Sequence, residues 1–260
     1  MSIITLTTDF GARDWFVGVM KGVIMSIAPE ATIVDIAHGG DPGNIQAGAF
    51  ALAAAFCYFP RGTVHVAVID PGVGGSRAAI AVETRDYVFV GPDNGVLSWS
   101  IEPAQVRSIR RLDNPKYVLG RLSQTFHGRD VFAPAAAHLS KGVAFAEIGS
   151  PRSDYQQLQL PVPKPVKDRW IGSVMYIDRF GNAITNLTGQ LVQTAGPHAA
   201  MHLRGRKGRI PICTHYAAVG PGKPLAVVGS TGFLELAINA GSAAELLGLD
   251  IGDPVTLCPA

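Results

Sequence analysis

Residues 64–77 read VHVAVIDPGVGGSR, and the fold is read outward from them. Residues 64–69 are β-branched or apolar except for His65, the pattern of a strand buried on both faces. The run ends on a carboxylate, Asp70, and breaks at once into Pro71, Gly72, Gly74 and Gly75. A sharp loop at the carboxyl end of a strand is where open α/β sheets hold ligands. Arg77 closes this loop, so an acid and a guanidinium are displayed on one glycine-rich turn. By itself the stretch is better described as a tight turn carrying an N-terminal cap and a surface arginine. The rest of the chain decides between the two.

Upstream, residues 3–7 read as a strand that ends at Thr8-Asp9-Phe10-Gly11. Trp15, Val19, Val23 and Ile27 recur at helical spacing before Pro29. A second strand over 32–36 ends near His38, and an alanine-rich helix over 45–58 stops before Pro60. The order β-α-β-α-β implies a parallel sheet with right-handed crossovers. Asp9, His38 and Asp70 then follow three successive strand ends and share one sheet edge.

Downstream, strands are expected over 79–84 and 87–90, then a turn at Gly91-Pro92-Asp93-Asn94-Gly95. A helix over 131–139 follows Phe126-His127-Gly128-Arg129-Asp130, with Asp130 as its N-cap and His127 just outside its N-terminus. The proline-rich stretch PVPKPVKD reads as an extended connector. Beyond it, strands over 172–177, 225–228 and 254–257 alternate with glycine turns, and a single helix is expected over 234–247. The expected class is α/β: a Rossmann-like N-terminal domain (1–160) with a mainly parallel sheet, a linker (161–169), and a smaller β-barrel-like C-terminal domain (170–260).

Composition excludes several functions. The 260 residues are 47% hydrophobic and 16% charged, a globular profile, and a net charge of +2 gives no nucleic-acid footprint. The basic cluster Arg204, Arg206, Lys207 and Arg209 sits among glycines and reads as a solvated hairpin. Cys57, Cys213 and Cys258 are far apart, which suits reduced thiols better than zinc or disulfides. The opening MSIITLTTDFG enters a strand without a basic leader, and no apolar run has the length of a membrane span, so a cytoplasmic protein is expected. Gly72-Val73-Gly74-Gly75 matches neither a dinucleotide nor a P-loop fingerprint. A two-metal phosphoesterase built on Asp9, Asp70, Asn94, His127 and Asp130 lacks close histidine pairs, and Arg77 is a poor neighbour for two cations.

Asp70, Arg77 and His127 form an acid–guanidinium–imidazole set suited to handling water. Within Tyr176-Ile177-Asp178-Arg179-Phe180-Gly181-Asn182, an aromatic face and an amide stand beside an acid, a set that also suits a β-turn.

Six ordered motifs, the five quoted around Asp9, Asp70, Asn94, His127 and Asp178 together with Gly229-Ser230-Thr231-Gly232, resemble the S-adenosyl-L-methionine (SAM) hydroxide adenosyltransferases, relatives of the SAM-dependent chlorinases and fluorinases. The resemblance runs nearly end to end. It implies hydrolysis of SAM at the ribose C5′ to adenosine and L-methionine, with Asp70, Arg77 and His127 activating water. It further implies that Asp9 holds the ribose hydroxyls, Asp178 the methionine ammonium, and Phe180 and Asn182 the adenine. Tyr216 is a stacking candidate, and Ser230 would face the methionine carboxylate, with Thr231 standing where fluorinases carry an arginine. No cofactor or metal is implied, since SAM is the substrate, and no nucleic-acid or membrane partner. A homotrimer is implied, with sites between subunits. The alternatives are a halogenase forming 5′-chloro-5′-deoxyadenosine, which needs a dry halide pocket rather than Arg77 and His127, and a non-catalytic SAM- or adenosine-binding protein.

Overall fold

The computed structural model describes residues 2–196, 199–203 and 208–259. They fall into two units, one ending at Gln159 and one starting at Leu160. The first begins with β1 (Ile3–Thr8), α1 (Phe16–Ile27), β2 (Thr32–Ala37), α2 (Ile45–Ala55) and β3 (Val64–Val68). In α1 the buried stripe is Val17, Met20 and Ile24, while Val19, Val23 and Ile27 of the expected set are only partly buried and Trp15 lies exposed before the helix. The Asn44 side chain caps α2 by accepting from the Ala47 N–H at 3.0 Å. Every residue of β3 is buried. Val64, Val66 and Val68 pack with α1 and the later helix, while Ala67 and Ile69 pack with Leu52 of α2. Alternation along one strand thus supplies the cores on both sheet faces.

β4 (Ala79–Thr84), β5 (Val88–Pro92), β6 (Val106–Arg111) and β7 (Pro151–Arg152) complete a seven-stranded sheet in the order β2-β1-β3-β5-β4-β6-β7. β2, β1, β3 and β5 are parallel neighbours. The β4–β5, β4–β6 and β6–β7 pairings are antiparallel. The sheet is therefore mixed, which corrects the expectation of a mainly parallel one. The reason is local: the short link between β4 and β5 is a hairpin, whereas a parallel pair needs a long crossover.

The helix expected over 131–139 is α3 (Ala133–Ser140), entered through a π-helical turn at Gly128–Phe132. Asp130 lies inside that turn, fully buried, and does not cap the helix. Its carboxylate instead takes the Arg129 guanidinium and the Ser123 N–H.

The second unit contains β8 (Lys164–Val166), β9 (Arg169–Ile177), β10 (Ala183–Thr188), α4 (Gly189–Ala195), β11 (Ala200–Leu203), β12 (Ile210–Cys213), β13 (Pro224–Val228), β14 (Phe233–Ile238), α5 (Ala243–Leu247) and β15 (Pro254–Cys258). The ladder β10-β14-β13-β12-β11-β15-β9 closes through a β9–β10 pairing into a seven-stranded barrel, with β8 added beside β9. Val174, Leu187, Met201, Leu234, Leu236, Val255 and Leu257 fill it.

The expected helix over 234–247 is wrong in its first half, and among the described residues of this unit it is not single, since α4 is a second α-helix. Residues 233–238 form β14, hydrogen-bonded to β13 on one side and β10 on the other. Leu234 and Leu236 enter the barrel core and Glu235 does not, a period of two that a continuous apolar run conceals. Only Ala243–Leu247 is helical, capped by Ser242. Cys57, Cys213 and Cys258 are free thiols. Arg204, Arg206 and Lys207 of the expected basic hairpin lie outside the described residues, and Arg209 donates to the Pro259 carbonyl at 2.6 Å.

Candidate active site

Three parallel strands end in register at one edge of the first sheet: Thr7 pairs with Ala37, and Thr8 with Val68. The loops that follow carry Asp9, His38 and Asp70, as the β-α-β-α-β reading requires. The Asn94 amide donates to the Ile69 carbonyl at 2.8 Å and pins the end of the strand segment before Asp70.

Asp70, Arg77 and His127 are joined in one chain of hydrogen bonds. Arg77 Nε reaches both Asp70 oxygens, at 2.9 and 3.0 Å, and Arg77 Nη2 makes a further contact to Asp70 Oδ2. The same Nη2 lies 2.7 Å from His127 Nδ1. The pair is largely buried, the Asp70 side chain 5% and the Arg77 side chain 11% exposed, so the bidentate contact works in a lowered dielectric. Phe132 backs the guanidinium, 5.6 Å from ring centroid to Cζ.

Gly74 couples the two loops that bear these residues. Its φ is +77°, and a Cβ there would lie 2.2 Å from the Gln124 carbonyl oxygen. Glycine alone lets the Asp70 loop approach the His127 loop this closely.

The chain fixes a tautomer. A guanidinium only donates, so His127 Nδ1 must accept, and the neutral ring carries its proton on Nε2. Burial holds His127 below its ordinary pKa, and the Arg77 charge adds to this against the opposing pull of Asp70, a Ser123 backbone hydrogen bond and Asp130. Next to it, burial would raise the Asp130 carboxyl, but Arg129 and Ser123 bring it below the usual range.

Asp9 is anchored apart from this chain, its Oδ2 accepting the Gly43 N–H at 2.7 Å. Phe10 packs edge-on against Phe126 at 5.9 Å, which brings the Asp9 loop against the His127 loop. His38 Nδ1 meets Thr8 Oγ1 at 2.9 Å, and its Nε2 lies 3.0 Å from Asp35.

In the second unit, Asp178, Phe180, Asn182 and Tyr216 line one cavity of about 650 Å³ together with Ile238, Ala240 and Gly241. Asp178 organises its own turn: Oδ1 accepts the Phe180 and Asn182 N–H groups, and Oδ2 accepts Asn182 Nδ2, all at 2.9 Å. Gly181, with φ +80°, fits against Ser242, whose Oγ would lie 2.0 Å from an added Cβ. Because the Asn182 NH₂ is engaged by a carboxylate, its Oδ1 is left as an acceptor. Phe180 is 77% and Tyr216 45% exposed, and both side chains line the cavity. Ser230 is exposed on the β13–β14 loop, apart from the residues lining this cavity, and the Thr231 hydroxyl beside it is buried without a partner among the described residues.

Sequence reasoning missed Glu235. It is 6% exposed, and Tyr216 donates its hydroxyl to Glu235 Oε1. Burial raises the Glu235 carboxyl, with the Tyr216 bond opposing and Asp178 reinforcing. Burial and Glu235 together raise the Tyr216 phenol. The available signal was a lone acid in the apolar run 234–238, which only a strand reading would have set apart. Among the described residues, no group of three or more His, Cys, Asp or Glu is placed to hold a metal ion.

The fold defines a two-unit protein, an α/β layer structure followed by a closed barrel. The chain belongs to the SAM hydroxide adenosyltransferase family, whose N-terminal domain matches residues 4–149 and whose C-terminal domain matches residues 172–256. It is 38% identical to an (R)-S-adenosyl-L-methionine hydrolase of Salinispora tropica, over 96% of this chain and 95% of that one. It is also 38% identical to a protein of the same name from Thermus thermophilus, over 99% and 100%. A fluorinase from an Actinoplanes species is more distant, at 28% identity over 99% and 98%. A crystal structure of an uncharacterised conserved protein from Thermotoga maritima superposes with a TM-score of 0.92 at 36% identity, covering 98% of this chain and 99% of that one.

Proposed function

We propose that the protein hydrolyses S-adenosyl-L-methionine by attack of water on the ribose C5′. The observation that carries this reading is the hydrogen-bonded chain Asp70–Arg77–His127 at a sheet edge, in a family whose curated relatives are named SAM hydrolases. The new O–C5′ bond forms as C5′–S breaks, and the electron pair stays on sulfur. Methionine leaves neutral, so no acid is required for it. The demand falls on the nucleophile, which must be held in line and given an acceptor for its proton.

Each group has a role that its hydrogen bonding permits. Asp70 retains acceptor lone pairs beyond its Arg77 contacts and takes the proton of water. Arg77 holds the developing hydroxide and the carboxylate together. His127 donates from Nε2 to the attacking oxygen and does not act as a base, because Nδ1 is occupied by Arg77. Asp9 takes the ribose hydroxyls. Phe180 and Tyr216 offer ring faces to adenine, and the Asn182 carbonyl accepts from its exocyclic amine. Asp178 and Ser230 face the ammonium and carboxylate of the methionine part. Adenosine and L-methionine are the products, and no cofactor or metal takes part. The active species is a homotrimer in the cytoplasm, in which N-terminal residues of one subunit and C-terminal residues of the next complete each site. No helix among the described residues is long and apolar enough to cross a membrane.

The test is incubation with each sulfonium epimer of SAM in ¹⁸O-labelled water containing chloride, with the products weighed. Adenosine bearing ¹⁸O at the 5′ oxygen is expected, and the (R) label of the relatives makes the epimer preference part of the readout. A 5′-chloro nucleoside would make the protein a halogenase. Bound ligand without turnover would make it a binding protein.

A further inference from the structure

We infer that Glu235 is a positioning residue for the base pocket, acting through the Tyr216 ring. The inference rests on the proposed binding of adenine by the barrel unit. Tyr216 sits on a short helical turn between β12 and β13, and no strand holds its side chain. Its ring lines the cavity and is nearly half exposed, a state in which a tyrosine samples several rotamers. What holds it is the hydroxyl, which donates to Glu235 Oε1.

Glu235 itself is fixed by its strand. Its backbone lies in the β14 ladder, in register with Ile184 on one side and Val227 on the other. Its carboxylate packs against the β13–β14 loop so closely that a Cβ on Gly229 would lie 2.6 Å from Oε2. A buried acid on a central barrel strand is costly unless its hydrogen bonds are made, and the bond it makes runs to a cavity-lining ring. Asp178, on the same cavity, is held by its own turn and needs no help from Glu235. Two faces of the pocket are thus set by two carboxylates: Asp178 orients the Asn182 amide, and Glu235 orients the Tyr216 ring. Pre-organising a stacking surface lowers the entropy lost on binding and acts on affinity rather than on the chemical step.

The experiment compares the Glu235→Ala, Glu235→Gln, Tyr216→Phe and doubly substituted (Tyr216→Phe with Glu235→Ala) proteins. It measures kcat and KM for SAM, and adenosine affinity by calorimetry. Glu235→Ala is expected to raise KM and the adenosine Kd about tenfold, the scale of one lost charge-assisted hydrogen bond, with kcat within about twofold. Glu235→Gln keeps a carbonyl acceptor for the phenol and restores most of the affinity. In the Tyr216→Phe background, removing Glu235 adds nothing. Unchanged KM and Kd in Glu235→Ala, an equal effect with and without the Tyr216 hydroxyl, or a fall confined to kcat would each overturn the role. If Glu235→Ala does not fold, Tyr216→Phe decides alone, because freeing the ring must weaken adenosine binding by itself. Wild-type protein that binds neither adenosine nor SAM overturns the functional reading. Wild-type protein that binds, with affinity insensitive to these changes, overturns only the role of Glu235.

Discussion

His127 is where hydrogen-bond chemistry discriminates between mechanisms most sharply. With Nδ1 accepting from Arg77, the neutral ring carries its proton on Nε2, and this is the form the proposed mechanism uses. A glutamine reproduces that pair, a carbonyl to accept and an NH₂ to donate at similar spacing. His127→Gln is therefore expected to keep a tenth or more of kcat, whereas His127→Ala and Arg77→Ala lose about 10²-fold or more, the scale of a lost electrostatic group. Steady-state rates of the three variants check this, and a glutamine variant as slow as the alanine one would restore histidine to the role of base. Protonating Nδ1 removes the acceptor and sets a cation beside Arg77. Activity should accordingly fall in acid with a midpoint below the ordinary histidine value, the direction in which burial moves this ring. At Asn182 the acceptor left by Asp178 suits an exocyclic amine and opposes a keto oxygen. S-inosyl-L-methionine should be turned over about 10²-fold less efficiently than SAM in competition.

At the scale of elements, the site depends on two loops meeting. Gly74 combines a positive φ with a backbone oxygen where a side chain would begin. Gly74→Ala is expected to cost about 2 kcal/mol of stability and to lower kcat further than this loss alone accounts for, because the Asp70 loop must back away from the His127 loop. Chemical denaturation and kinetics on the same preparation separate the two effects. The π-helical turn before α3 is the second such device. It breaks regular helix geometry directly after His127, and it buries Asp130 against Arg129.

The whole molecule should betray its buried histidine in acid. His65 is fully buried on β3, its Nδ1 on the Thr5 hydroxyl at 2.8 Å, with rings of Phe56, Phe59, Tyr87 and Phe89 around it. Burial lowers its pKa from 6.5 to about 4. Below pH 6.5 the unfolded chain binds a proton that the folded one refuses, so this stability is complete above pH 6.5 and is lost as pH falls toward 4. The loss amounts to as much as about 3 kcal/mol. Thermal melts across that range should show a decline that His65→Asn reduces. Assembly is tested by complementation: mixing subunits inactivated at Arg77 with subunits inactivated at Asn182 should restore turnover if sites form between subunits, and should not if each chain is self-sufficient.

The sequence alone carried the strand ends and their cargo. Apolar runs closed by Asp9, His38 and Asp70 could only be parallel strands delivering polar groups to one edge, because alternation and chain connectivity are local properties. The turn at Asp178 was legible for the same reason, since Asp, Gly and Asn act on their own backbone within a few residues. Tertiary structure decided what depends on partners distant in the chain. The antiparallel half of the first sheet and the conversion of residues 234–238 from expected helix to barrel strand were both settled by pairing across the sheet, which propensity does not encode. So were the burial of Asp130, read as a cap, and the meeting of Glu235 on β14 with Tyr216 on the turn between β12 and β13. The residues that would do chemistry could be named from the sequence, but which proton sits on which nitrogen is fixed by a guanidinium fifty positions away, and only folding brings that donor to the ring.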